Sequence, residues 1–182
     1  MVPVTADRWD DLARLFGPNG AYSNCWCMWW RLPSRAWDEA GAAGRRVAFE
    51  GIVAGGSEPG LLAYADADPV GWCAVAPRTE FARLTSPRAR TFRRFDETPT
   101  WVINCFFIHK AHRGRGVATA LLDAAIEYAV GHGATVLEGY PVDLATARRD
   151  ADVFTGTLSM FQRAGFTEVD RRNGRPLVRL LV

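Results

Sequence analysis

Lysine is almost missing from this chain: of its 22 basic side chains only Lys110 is a lysine, the rest being arginine. Arginine grips phosphate through a planar fork that lysine lacks, but a coding bias would leave the same composition, so the skew alone decides nothing. Basic residues barely outnumber the 20 acidic ones, and a net charge of +2 makes no global case for nucleic acid as a partner. The four cysteines (Cys25, Cys27, Cys73, Cys105) are few for a disulfide scaffold, and no charged-then-apolar leader opens the sequence, so a reducing cytoplasm is the expected setting. Histidine is also scarce (His109, His112, His132), and a tetrahedral zinc site needs about four ligands, so Cys25-x-Cys27 does not announce a metal and none is expected. No apolar run approaches the roughly 20 residues that would span a bilayer. Repeats, linkers and low-complexity blocks are absent too, and 182 residues suit one domain, 1–182, large enough to hold a core and a deep cleft.

What the chain does contain is a legible succession of elements. Thr5 reads as the cap of a first helix whose apolar stripe is Trp9, Leu12, Ala13 and Phe16, stopped by Gly17-Pro18-Asn19-Gly20. Tyr22 to Trp30 packs three Trp, one Tyr and two Cys into nine residues, too many large rings for a solvated loop. A second helix is expected from Gly41 to Ala54. Two apolar runs, Gly60 to Ala65 and Val70 to Ala76, flank the turn Asp66-Ala67-Asp68-Pro69 and predict a hairpin. Trp101 to Ile108 is apolar without alternation, which suits a central strand covered on both faces. From Val117 to Ala129 the apolar positions keep helical spacing. Thr135 to Tyr140 predicts a short strand, Thr155 to Arg163 a helix, and Phe166 to Arg171 and Leu177 to Val182 two strands joined at Asn173-Gly174.

The most informative stretch is Arg113-Gly114-Arg115-Gly116-Val117-Ala118, a basic turn with two glycines between the buried strand and the amphipathic helix. A helix start offers unpaired N–H groups and the positive end of a dipole, and glycine lets an anion approach the backbone. Diphosphate is the natural guest. No Gly-Lys-Ser/Thr ending makes this an ATP loop, and Thr119 breaks the spacing of a dinucleotide fold.

Arg113-x-x-Gly116-x-Ala118 is similar to the pyrophosphate motif of the GNAT superfamily of acyl-CoA-dependent N-acetyltransferases. Phe106-Phe107-Ile108 resembles the end of the strand whose main chain pairs with pantetheine in that family, and Phe161-Gln162-Arg163-Ala164-Gly165-Phe166 resembles its closing helix, Gly-Phe and strand. The resemblance implies an α+β fold, a mixed twisted sheet of about six or seven strands split at its central strands, with helices on both faces. It implies acetyl-CoA as cosubstrate, held by Phe106, Phe107, Ile108 and the amides of Arg113 to Ala118 (Arg113, Gly114, Arg115, Gly116, Val117, Ala118). The expected reaction is direct acetyl transfer to a primary amine of a small molecule; a protein or aminoacyl-RNA amine, or an acyl-CoA sensor without turnover, are the alternatives. A homodimer is compatible with this reading. In the superfamily the region after the first helix borders the acceptor, so Tyr22, Trp26, Trp29 and Trp30 are expected to shape that pocket unless they merely fill the core.

The acid and base depart from the family pattern. Many GNAT enzymes carry a Tyr four residues before the Gly-Phe pair and an Asn eleven residues before that glycine; here these are Phe161 and Phe154. An alkylamine with a pKa near 10.4 needs about 4.6 kcal/mol to supply its free base at pH 7, so a proton acceptor matters. Glu138 and Tyr140 alternate onto one face of the short strand, which makes Glu138 the candidate base, against an Arg-paired carboxylate as the bland reading. Tyr140 or Ser159 is the candidate donor to the thiolate, and Glu80 is the reserve base. Five arginines between Arg83 and Arg94 could meet RNA, an acidic acceptor or the CoA 3′-phosphate, or form a solvated face.

Overall fold

The computed structural model describes the backbone of residues 1–145 and 150–182, and the side chains of all of these but 150–152. Its elements in chain order are β1 (Val2–Pro3), α1 (Trp9–Phe16), α2 (Ser34–Ala54), β2 (Gly60–Ala65), β3 (Asp68–Pro77), α3 (Ala82–Thr85), β4 (Trp101–Ile108), α4 (Val117–Gly131), β5 (Val136–Gly139), α5 (Leu158–Arg163), β6 (Thr167–Arg172) and β7 (Arg175–Leu181). The strands form one mixed sheet of seven in the order β1-β2-β3-β4-β5-β7-β6, with β4 and β5 parallel and the other pairs antiparallel. No helix among the described residues is long and apolar enough to cross a membrane.

Both sheet faces are covered, which is why β3 and β4 read as unbroken apolar runs. On one face Trp72, Ala74, Val102 and Leu177 pack with Leu12 and Phe16 of α1 and Phe49 and Val53 of α2. On the other, Cys73, Val75, Ile103 and Val178 pack with Leu121, Leu122 and Ala125 of α4 and Met160 and Phe161 of α5.

Several boundaries differ from expectation for local reasons. The second helix begins at Ser34, not Gly41, but Gly41 at φ +57° breaks it where the periodic pattern started. The helix expected from Thr155 starts at Leu158, because Gly156 at φ +80° interrupts the backbone and Thr157 caps the next turn, its Oγ1 accepting from Met160 N at 3.3 Å. The two-residue β1, paired with Leu61 and Leu62, is too short to have a period. The Asn173-Gly174 turn is as expected, with φ +52° and +77° at its two centres.

Candidate active site

β4 and β5 pair only through Trp101↔Leu137, Val102↔Glu138 and Ile103↔Gly139. Beyond that point β5 ends, Pro141 having no N–H to continue a ladder, while β4 runs on to Ile108. The edge of β4 from Asn104 to Ile108 is therefore left without a β5 partner, and the sheet opens into a split.

A β-bulge sits at the mouth of this split. Cys73 faces Phe106 while the next residue, Ala74, faces Asn104, so Cys105 is the extra residue, at φ +55°. The extra residue resets the alternation of the strand. Ile103, Phe106 and Ile108 all lie against the α4 side, whereas Val102, Cys105 and Phe107 join the α1–α2 side. Next to the bulge, Asn104 is fully buried, and neither atom of its amide has a partner among the described residues. An unsatisfied buried amide costs about 1–3 kcal/mol, so Asn104 marks a locally destabilised point in β4 beside the bulge. The one polar letter in Trp-Val-Ile-Asn-Cys-Phe-Phe-Ile was the available signal for it.

At the far end of β4 the chain makes a short turn and enters α4. Gly114 (φ +71°) and Gly116 (φ +79°) hold left-handed conformations, and a Cβ built on either would meet nothing within 4 Å. Residues 113–116 are exposed, and Arg113 Nε donates to Ile108 O at 3.2 Å, tying the turn to the strand end. The 15-residue helix then starts at Val117, so its first N–H groups face the exposed basic turn without partners in the helix. Phe106, Phe107 and Ile108 thus lead from this turn to the split, the juxtaposition the sequence implied. The turn carries what a pyrophosphate would need: two left-handed glycines with open space where a Cβ would be, a helix N-terminus, and the basic residues His112, Arg113 and Arg115.

On the α1–α2 face, against the bulge, lies a cavity of about 390 Å³ whose walls include Cys105, Phe106 and Phe107 from β4. Tyr22, Trp29 and Trp30 line it with Trp37, Phe92 and Phe154. Trp26 does not: its ring stacks on Trp9 at 6.0 Å and meets Phe16 at 5.8 Å, in the core beneath α1. The loop explains the separation, because Ala21, Ser23, Asn24, Trp26 and Cys27 all take positive φ and no regular period carries from one ring to the next.

Glu138 is completely buried and fully engaged. Arg78 Nη1 donates to its Oε2 at 2.6 Å, and Arg179 Nε and Nη2 donate to its Oε1 at 2.9 and 2.7 Å. It faces a separate polar hollow of about 370 Å³, shared with Asp96 and the start of β4, not the aromatic cavity. Tyr140 does share its face, as the alternation required. Its hydroxyl accepts from Arg78, donates to Glu138 at 3.1 Å, and is held above its usual pKa by burial and then by the Glu138 charge. The ring backs onto Trp30 and Phe92 without lining the cavity. Glu80 pairs with Arg31 at 2.7 Å and also lies outside the cavity wall. Ser159 is exposed on the first turn of α5, with its Oγ 3.3 Å from Thr157 Oγ1.

Phe161 is fully buried at the split, wedged against Gly139 and Gly156; a Cβ on Gly139 would come within 2.4 Å of its ring. The cysteines form a thiol contact: Cys27 and Cys105 Sγ are 2.8 Å apart, and Trp72 Nε1 donates to Cys27 Sγ at 2.8 Å. Burial, then neighbouring Cys105, pushes Cys25 up to about 12 and Cys27 well above the ordinary thiol range, so neither is a thiolate nucleophile near neutral pH. No group of three or more His, Cys, Asp or Glu suited to a metal occurs among the described residues.

A family model described as the acetyltransferase (GNAT) family matches residues 26–148. No curated protein matches the sequence. Among solved structures, one described only as an acetyltransferase superposes at TM-score 0.62 and 16% identity, over 100% of this chain and 98% of that one. The ribosomal-protein-alanine N-acetyltransferase of Brucella melitensis gives TM-score 0.53 and 18% identity, over 100% and 98%. A GCN5-related N-acetyltransferase of Kribbella flavida is much longer: 92% of this chain covers 32% of it, at TM-score 0.49 and 17% identity. At such identities the structural likeness is one of fold alone.

Proposed function

We propose, from the premise that this chain belongs to the acetyltransferase (GNAT) family, that it transfers an acetyl group from acetyl-CoA directly to a primary amine of a small molecule. The observation that carries this reading is the order of features along β4: the edge without a β5 partner runs from the cavity-lining bulge at Cys105 to Ile108, whose carbonyl accepts from Arg113 at the head of the glycine turn before α4. The amides from Arg113 to Ala118 would hold the pyrophosphate, and the main chain of Phe106 to Ile108 would align the pantetheine arm. When bound, acetyl-CoA supplies an acyl thioester, an acetyl group already activated for transfer.

The chain's own part is to bind, orient and exclude water. The split fixes where the acyl carbon arrives, and the aromatic cavity presents the nitrogen from the α1–α2 side. In the transfer a C–N bond forms, the C–S bond breaks, and one proton passes from nitrogen to sulfur, so no net proton source is needed. Glu138 is tied between two arginines and is assigned here to holding the sheet, not to moving that proton. Ser159, on the α5 turn beside the split, is retained as the candidate donor to the leaving sulfur.

A second reading rests on a specific observation: Phe161 and Phe154 occupy positions where many relatives carry proton-handling or polar side chains, as expected of a module that binds acyl-CoA without turnover. Thiol release from acetyl-CoA over a panel of amines, beside calorimetry of CoA binding, separates the two. Turnover supports the transferase; CoA binding with no thiol released by any amine replaces it with the binding module.

A further inference from the structure

The walls of the cavity say more about the acceptor than that it is an amine. Four rings brace one another there: Trp29 and Trp30 centroids lie 4.6 Å apart, Trp30 and Phe92 4.8 Å, and Phe154 lies within 6.2 Å of Trp29 and 6.5 Å of Trp30. The contacts between Trp29 and its neighbours Trp30, Phe92 and Phe154 are edge-to-face, the arrangement in which each ring fixes the orientation of the next. Trp29 is braced from outside as well, by the Arg83 guanidinium 4.4 Å from its ring centroid. The result is a braced, aromatic-walled slot of about 390 Å³ that reaches the β4 bulge at Cys105.

Resting on the transferase reading above, we infer that the acceptor is an arylamine, an amine borne directly on an aromatic ring. A flat apolar body fills such a slot by offset stacking and edge contacts, at no cost in unsatisfied hydrogen bonds, whereas a sugar or polyamine would lose hydration without replacement. The lining includes the Arg175 side chain and, among the described residues, no carboxylate, so an ammonium ion meets no counter-charge there and a nitrogen that arrives neutral is favoured. An alkylamine is protonated at neutral pH, but an arylamine is not, because its lone pair is delocalised into the ring. The inference therefore joins two facts: aromatic walls at the reacting end of the cavity, and the engagement of Glu138 by Arg78 and Arg179.

The test is turnover of acetyl-CoA with size-matched pairs, such as aniline against cyclohexylamine and 4-methylaniline against 4-methylcyclohexylamine, on the wild-type chain. The arylamines are expected to react with kcat/KM at least about tenfold higher and with a flat profile through the neutral range. Phe92→Leu and Phe154→Leu, which keep the cavity apolar, are expected to raise KM for arylamines about tenfold while leaving CoA affinity as it is. Equal or faster reaction of the saturated amines overturns the inference and leaves the transferase reading standing. So does a preference for long or aromatic acyl thioesters over acetyl-CoA, which would make the slot an acyl pocket. If no amine releases thiol while CoA still binds, the transferase reading fails; quenching of tryptophan emission by aniline would then still support the slot's preference, and no quenching would overturn it.

Discussion

Arg78 joins two parts of the molecule that lie far apart in sequence: its Nη1 is 2.6 Å from Glu138 Oε2, and its Nη2 donates to the carbonyl of Phe92 at 2.6 Å. One guanidinium thus locks a buried carboxylate of β5 and suspends a wall of the aromatic cavity. Its Nη2 also donates to Leu84 O at 2.9 Å, so the arginine-rich stretch from Arg83 to Arg94 is pinned near both of its ends.

Glu138→Gln is expected to destabilise the fold by about 3–5 kcal/mol, because the buried Arg78 loses its carboxylate partner, while Arg179 keeps Asp96 at 2.6 Å. Thermal melting checks the loss, and the pH–rate profile of the surviving protein checks the role. Glu138 acts as an anchor if the profile keeps its shape; a normal melting temperature with a flattened profile would restore it as the base.

Gly116→Glu puts bulk, a left-handed strain and a negative charge at the start of α4, where the residue has φ +79°. CoA affinity in calorimetry is expected to fall by at least about tenfold, while Gly131→Ala, at the other end of the same helix, leaves it unchanged. Retention of wild-type affinity by Gly116→Glu would move the pyrophosphate elsewhere.

Gly139→Ala brings a methyl group within 2.4 Å of the Phe161 ring, at the edge of the split. Overpacking there should cost about 1–3 kcal/mol, and Phe161→Leu in the same chain should recover part of it. A double-mutant cycle in denaturant reads the coupling; additive effects would show that the ring yields freely.

Alkaline pH should unfold the protein through its thiols. Cys25 is raised from 9.0 to about 12 by burial, so below pH 9 both folded and unfolded chains keep the proton and nothing is lost. Above that the unfolded chain releases a proton the folded one retains, and stability falls as pH climbs from 9 toward about 12. The melting temperature followed over this window should fall less steeply in Cys25→Ser than in the wild type.

The local pieces were legible because each is written in adjacent residues. Apolar runs gave β3 and β4, helical spacing gave α4, Asn173-Gly174 gave its hairpin, and the glycines at 114 and 116 gave the tight turn at the strand-to-helix junction. Glu138 and Tyr140 were correctly placed on one face, since alternation along a strand needs no tertiary information. What the carboxylate does there was not legible. Its partners stand 60 and 41 residues away, and only the sheet order β4-β5-β7, with Arg78 following β3, brings them together. Trp26, Trp29 and Trp30 look alike in sequence, yet a loop of positive φ values, with no period to extrapolate, sends the first into the core and the other two to the cavity wall. The sequence by itself determined the fold and the left-handed glycine turn that opens α4, which depend on local propensity and pattern. Only the tertiary structure decided which aromatic rings line the cavity and which carboxylate is already paired, because both depend on contacts between segments that no short-range pattern encodes.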